Sequence, residues 1–241
     1  STSTSPSSDN PITSRNIILV DRIIPKGKNK TRRTTSLYCS DGRHKPTAAT
    51  AITNRDDITR LKNYFLYEST IEQKKFMRKR NHLIFVLGIS STLRVSDLIN
   101  LDIGQVLERT RVINPETNEP TFKYTIKDHI ELIDTKTRKS NLIKLNNEAK
   151  KALRLYFVEY ITTCNEKHIP VNPTHPLFQS EDSWNSMSSG TGESIRLGYD
   201  GVYAILRTAE KKLNLPYHLS THCLRKTFAY WTLELHPNDS N

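Results

Sequence analysis

From Thr53 onward apolar side chains recur at helical spacing through most of the chain, and at a spacing of two in one stretch. Thr53 and Asn54 are types that cap helix N-termini, and Asp56 and Asp57 follow where a first turn favours acids. Ile58, Leu61, Tyr64 and Phe65 then mark one helical face. A second helix is expected from about Ile71 to Ile89. Its first half is basic (Lys74, Lys75, Arg78, Lys79, Arg80) and suits either a DNA backbone or solvent. Its second half, Leu83-Ile84-Phe85-Val86-Leu87, is apolar all round, which predicts a helix through the centre of the core. After a Ser-Ser-Thr break, Arg94 to Leu101 reads as a short helix anchored by Val95, Leu98, Ile99 and Leu101.

The period then changes. Phe122, Tyr124, Ile126, Ile130 and Leu132 alternate with polar residues, as in a half-buried strand. Asp134 to Lys139 forms a polar turn before Leu142 to Leu145, so a hairpin with a basic tip is expected. Helical spacing resumes near Asn147, with Ala149, Leu153, Tyr156, Phe157, Tyr160 and Ile161 on one stripe. His168 to Gly198 is loop-rich, with Pro170, Pro173, Pro176 and a Ser/Gly cluster from Ser186 to Gly192. A further helix carries Val202, Ile205, Leu206, Ala209 and Leu213 and ends before Pro216; the last carries His222, Arg225, Phe228 and Trp231. No internal repeat is visible. The fold class is α+β, mainly α-helical, with a small antiparallel β-sheet.

Charge separates the two ends of the chain. The 241 residues carry a net charge of +11, which favours an anionic partner, most often nucleic acid. Ser1 to Thr47 holds nine Lys/Arg against three Asp/Glu and little apolar material, including the run Lys26 to Arg33. Residues 1–48 therefore read as a flexible basic arm, a tracker of DNA phosphates or a solubilising tail. Residues 49–241 read as one domain. Cys39, Cys164 and Cys223 are far apart and show no metal-ligand spacing, so no metal site is expected and a reducing, cytoplasmic setting fits. No apolar run approaches the roughly 20 residues of a membrane span, and Ser1 to Ser5 is not the start of an apolar signal region.

Two short motifs carry the chemistry: Thr92-Leu93-Arg94-Val95-Ser96-Asp97-Leu98 and His222-Cys223-Leu224-Arg225. Each places an arginine in a helix-like segment, and His222 and Arg225, three apart, share a helical face. Guanidinium is planar, always charged and pairs bidentately with phosphate oxygens, so two converging arginines make a phosphate clamp. A histidine beside such a clamp points to phosphoryl transfer.

The order of these parts resembles the catalytic domain of the tyrosine recombinases, or phage-type integrases, a DNA breaking-rejoining fold. The resemblance covers roughly residues 53 to 235. It rests on Leu87-Gly88-Ile89, the Arg94 motif, Lys136 in Thr-Lys-Thr-Arg-Lys, Pro176-Leu177-Phe178, and Thr221-His222-Cys223-Leu224-Arg225-Lys226-Thr227-Phe228. By resemblance, Arg94 and Arg225 grip the scissile phosphate of double-stranded DNA and stabilise transition-state charge. Lys136 is the general acid for the departing 5′ oxygen, its pKa pushed down by Arg138 and Lys139, with Lys139 the substitute if the register slips. His222 is general base or positions the phosphate, and Asp97 orients an active-site group. Lys74, Lys75, Arg78, Arg138, Lys139 and Lys226 are expected DNA contacts. The resemblance implies no cofactor: arginines supply the positive charge, and a phosphotyrosyl bond conserves the energy of the broken diester.

The pattern also departs from the family. A later His or Trp and the nucleophilic tyrosine are expected well past His-x-x-Arg, whereas Asn241 lies sixteen residues after Arg225. Tyr230 is only five residues past Arg225, and Tyr199, Tyr203 and Tyr217 precede the motif. The expectation is a chain without its nucleophile, able to bind DNA but not to cleave it. The basic arm is expected to stand in place of the separate N-terminal clamp domain that many family members have. On DNA the full-length family member is expected as a homotetramer; this chain is expected as a monomer in solution. A non-catalytic DNA-binding regulator that keeps the clamp is the alternative from another class. A type IB topoisomerase shares the chemistry but is less favoured by the compact hairpin, and no aromatic ribbon for RNA is present.

Overall fold

The capping and stripe signals in the sequence translate directly into helices. The computed structural model describes residues 49–68, 75–116, 118–133, 140–188 and 194–235. The basic arm lies outside the described residues. Helix α1 (Arg55–Asn63) starts where the Asn54 side chain accepts from the Asp56 N–H, and it runs into a π-helical turn, Tyr64–Glu68. Helix α2 (Lys75–Ser90) is the central element, and Leu83 to Leu87 are buried on every side. Two very short helices follow, α3 (Val95–Ile99) and α4 (Ile103–Val106).

The strand region differs from the single hairpin expected. Strands β1 (Leu107–Ile113) and β2 (Pro120–Ile126) pair antiparallel, with Leu107 opposite Ile126 and Ile113 opposite Pro120. Strands β3 (His129–Ile133) and β4 (Ser140–Lys144) form a second antiparallel pair, with His129 opposite Lys144. The stretch read as one strand is thus broken at Lys127 and Asp128. There the Lys127 N–H donates to the Val106 carbonyl, its ammonium to the Gly104 carbonyl, and the Leu145 N–H to the Asp128 carbonyl. The chain is gripped by the end of α4 and must turn. Strand β1 gave no alternation because most of it is solvent-exposed, so nothing selects apolar residues along it.

Helix α5 (Asn147–Glu166) begins where Asn146 caps the Ala149 N–H, and its stripe from Ala149 through Tyr156, Phe157 and Tyr160 to Cys164 is buried against α2. Burial pushes the Cys164 thiol up to about 11, so it is a protonated, unreactive core group. In the region expected to be loop, α6 (Glu181–Ser188) forms. Helix α7 (Tyr199–Leu213) is terminated by Asn214 in the left-handed conformation at φ 51°, one of the few conformations in which asparagine outcompetes other non-glycine residues. Helix α8 (Thr221–Leu235) packs on α2, so α2 lies between α5 and α8.

Candidate active site

The contact between α2 and α8 sets the site. A Cβ on Gly88 would lie 2.6 Å from Leu224 Cδ1 and 3.1 Å from Leu224 Cβ, so only glycine allows this approach. Gly88 lies six residues before Arg94, and Leu224 is next to Arg225. The hydroxyl of Ser91 donates back to the Leu87 carbonyl at 2.7 Å, which closes the last turn of α2. The chain then reaches Arg94, which is not inside a helix as its motif suggested. It is the N-cap of α3, with extended backbone (φ −69°, ψ 153°), and its carbonyl accepts the Leu98 N–H. Its guanidinium is 3.8 Å from the carboxylate of Asp97, whose side chain is only 4% exposed. The carboxylate therefore sits behind the arginine while a third of the arginine side chain faces solvent.

Helix α8 has a sharp division of faces. Cys223, Leu224 and Thr227 are buried, whereas His222 and Arg225 are both exposed and adjacent on the opposite side. The buried face is pinned to the domain start. Thr227 accepts the Ile52 N–H at 2.8 Å and donates to the Cys223 carbonyl, and the Trp231 indole donates to the Ile52 carbonyl at 3.0 Å. Arg55 stacks over the Trp231 ring, 4.7 Å from its centroid.

The loop entering α8 is held by a buried acid that sequence reading missed. Glu210, 3% exposed, accepts the Leu219 N–H at 2.9 Å and pairs with Arg207. His218 Nδ1 lies 2.8 Å from Arg207 and 3.1 Å from Glu210. The detectable signal was a glutamate placed beside the apolar stripe of α7, next to Ala209. Two more residues were missed. Arg196 donates to the Ile99 and Leu101 carbonyls at 2.7 and 3.1 Å and to Asp102 at 2.8 Å. The Tyr199 and Thr221 hydroxyls are 2.9 Å apart.

A groove of about 400 Å³ joins the pieces. Its walls are Ser90, Ser91 and Thr92 on the way into Arg94, Phe228 one turn beyond Arg225, and Leu142, Ile143, Lys144 and Asn146 on and after β4. Strand β4 follows, in the chain, the segment that holds Lys136. Lys136, Arg138, Lys139 and Lys74 themselves lie outside the described residues. Lys75 begins α2, and Arg78 is half-buried on it. The rest of the basic half does not form a free cationic face. Lys79 pairs with Glu159 at 2.8 Å, and Arg80 turns inward, 6% exposed, donating to the Gln179 carbonyl and to Asn81. Burial lowers the Arg80 pKa to about 10, which leaves it charged at neutral pH. Lys226, one turn after His222 and also exposed, donates to the Ala49 carbonyl at 2.8 Å.

Among the described residues no group of three or more His, Cys, Asp or Glu is placed to hold a metal, and no helix is long and apolar enough to cross a membrane. The tyrosines differ in availability. Tyr217 donates to Asp57 at 3.1 Å, and burial, with the Asp57 charge second, raises its pKa. Tyr230 is on α8 itself, stacked edge-on with Trp231.

Comparison with known proteins bears on the family and the fold. The chain is 26% identical over 179 residues to Probable integrase/recombinase YoeC of Bacillus subtilis (strain 168), covering 74% of this chain and 72% of that protein. The crystal structure of XerA recombinase matches with a TM-score of 0.50 and 18% identity over 78% of this chain. That of the XerH site-specific recombinase, bound to its difH substrate in a pre-cleavage complex, matches with a TM-score of 0.50 and 12% identity over 83% of this chain. The chain spans about half the length of those two structures, 52% and 50%. Residues 52–238 match the Phage integrase family, and with that match over most of its length the chain belongs to this family and has the tyrosine recombinase fold.

Proposed function

We propose that this chain is the strand-cleaving domain of a site-specific DNA recombinase or integrase acting on double-stranded DNA in the cytoplasm. The observation that carries the reading is the shared groove: the segments leading into Arg94, out of Arg225 and away from the Lys136 turn are its three walls. Arg94, backed by Asp97, and Arg225 bind the non-bridging oxygens of one phosphodiester and stabilise the charge that builds on them. A tyrosine oxygen attacks phosphorus, the bond to the 5′ oxygen breaks, and Lys136 delivers the proton that this oxygen takes up. His222 accepts the tyrosine proton or holds the phosphate. The reverse sequence, with a new 5′ hydroxyl, rejoins the strands. Lys75, Arg78, Lys226 and the basic tip residues Arg138 and Lys139, with Lys74, supply salt-sensitive backbone contacts.

Tyr199, Tyr217 and Tyr230 are poor candidates for the attacking tyrosine: Tyr199 is committed to Thr221, Tyr217 to Asp57, and Tyr230 lies 140° around α8 from Arg225 at 100° per residue. Four copies on two duplexes are the expected assembly, and the isolated chain is expected to be monomeric, which sedimentation with and without DNA measures.

The test is covalent trapping on nicked DNA bearing the native element ends, with this chain and with one extended through the downstream reading frame. A covalent band from the extended protein, abolished by Arg225→Ala and by Arg94→Ala, is the expected result. A band from this chain alone overturns the assignment of the tyrosine. No band from either, with salt-sensitive DNA binding intact, establishes instead a non-catalytic DNA-binding protein.

A further inference from the structure

We infer that Arg196 is a positioning residue that holds the two halves of the phosphate clamp at their working separation; this deepens the reading of Arg94 and Arg225 as a clamp and rests on it. Arg94 and Arg225 stand on different elements, α3 and α8, more than a hundred residues apart in the chain. Helix α3 is only five residues long, too short to hold its own position by helical hydrogen bonding. Its C-terminal end presents carbonyls that lack helical partners.

Arg196 supplies a partner to the Ile99 carbonyl and a second one to the Leu101 carbonyl, which also accepts the Leu177 N–H. One guanidinium nitrogen reaches both the Ile99 and Leu101 carbonyls, at 2.7 and 3.1 Å, while the other binds Asp102 at 2.8 Å. The positive charge also suits the negative end of α3. The backbone that carries Arg196 is itself held. The Ser180 N–H donates to the Ile195 carbonyl at 2.9 Å, the Leu197 N–H to the Phe178 carbonyl at 2.8 Å, and Gln179 bridges to Arg196. Three residues later the same strut reaches the other half of the clamp. Tyr199 opens α7, and its hydroxyl meets that of Thr221, the first residue of α8 and the neighbour of His222. One short segment thus ties the end of the Arg94 helix to the start of the Arg225 helix. Lysine does not replace this arrangement, because an ammonium lacks the planar fork that spans the carbonyls and the carboxylate together. The side chain of Arg196 is 32% exposed, so removing it leaves no buried lone charge to unfold the domain.

The test uses Arg196→Met, Arg196→Lys and Tyr199→Phe in the chain extended through the downstream reading frame. Spin labels at Ser96→Cys on α3 and Ala229→Cys on α8, both exposed positions, report the separation of the clamp halves without any DNA. A narrow distance distribution in the parent that broadens or shifts in Arg196→Met, less so in Tyr199→Phe, is expected. Single-turnover cleavage of nicked DNA at saturating protein should fall about a hundredfold in Arg196→Met, as for a reacting group displaced by about 1 Å. Duplex affinity should change less than about threefold. Arg196→Lys should restore only a fraction of the rate. An unchanged distance distribution in Arg196→Met, or a loss of cleavage that merely parallels a loss of DNA binding and of thermal stability, overturns the inference. Parental cleavage that is indifferent to Arg94→Ala and Arg225→Ala overturns the clamp reading instead, and the distance measurement still decides whether Arg196 sets the spacing.

Discussion

Where α2 meets α8, a glycine lets Leu224 approach so closely that any larger residue must displace it, and both Gly88 and Leu224 are buried. In the β1–β2 hairpin, by contrast, Ile113 and Phe122 remain 58% and 47% exposed, and the Arg109 guanidinium lies over Phe122, 4.4 Å from its ring centroid. The first region is fixed by packing, which fails steeply when atoms are added or removed. The second is fixed by cross-strand hydrogen bonds and a surface contact, each worth little and easily remade. The difference teaches where precision resides. Helices α2 and α8 are set by the interior, whereas the β1–β2 hairpin is tolerant.

The sharpest way to break this contrast is Phe85→Ala. Phe85 is fully buried beside Phe65, with ring centroids 5.6 Å apart, and truncation should cost about 3–5 kcal/mol in denaturant unfolding. A cost below about 1 kcal/mol would show that the centre is not close-packed.

A pH series comes next. Burial, followed by the charges of Lys62 and Lys151, lowers the His82 pKa from 6.5 to about 4, with Glu148 opposing. The folded protein thus keeps His82 neutral where the unfolded chain protonates it. Stability should be complete above about pH 6.5 and fall by about 1.4 kcal/mol per unit until about pH 4, a total on the order of 3 kcal/mol. In His82→Gln this part of the slope should vanish; equal slopes in the two proteins refute the assignment.

Gly88→Val is smaller. It gains helix propensity but forces Leu224 aside, and a net loss of about 1–3 kcal/mol is expected, together with weakened DNA cleavage when the substitution is made in the chain extended through the downstream reading frame. A variant as stable and active as the parent means that the helices separate freely. Phe122→Ala should cost the least, about 0.5–1 kcal/mol, the worth of an exposed cation–π contact. A loss comparable to that of Phe85→Ala would erase the distinction between the two regions.

The helices with an apolar stripe and a capping residue were legible in the chain. Asn54 and Asn146 cap as their type demands, and Leu83 to Leu87 are as buried as a run without a polar face must be. The strands were less legible. Strand β1 is exposed, so its sequence lacks the alternation that burial of one face imposes, and the break at Lys127 depends on carbonyls of α4. Helix α6 sits within a stretch whose prolines and serines read as loop. Arg94 looked like a helix residue because Val95, Leu98 and Ile99 follow at helical spacing, yet it caps that helix. Lys79 and Arg80 looked like surface cations, since a run of basic residues carries no mark of which members find Glu159 or the Gln179 carbonyl.

Sequence alone determined the striped helices, the central place of α2 and the shared face of His222 and Arg225. These are local properties, dictated by spacing of 3.6 residues per turn and by the intrinsic preferences of single side chains. Tertiary structure alone decided that Gly88 packs against Leu224 of the second motif, that Glu210 holds the loop entering α8, and that Arg196 and Tyr199 link the end of α3 to the start of α8. Those partners lie from a few to nearly a hundred and forty residues apart. Their meeting depends on how every intervening element packs, and a single sequence carries no periodic signal for that.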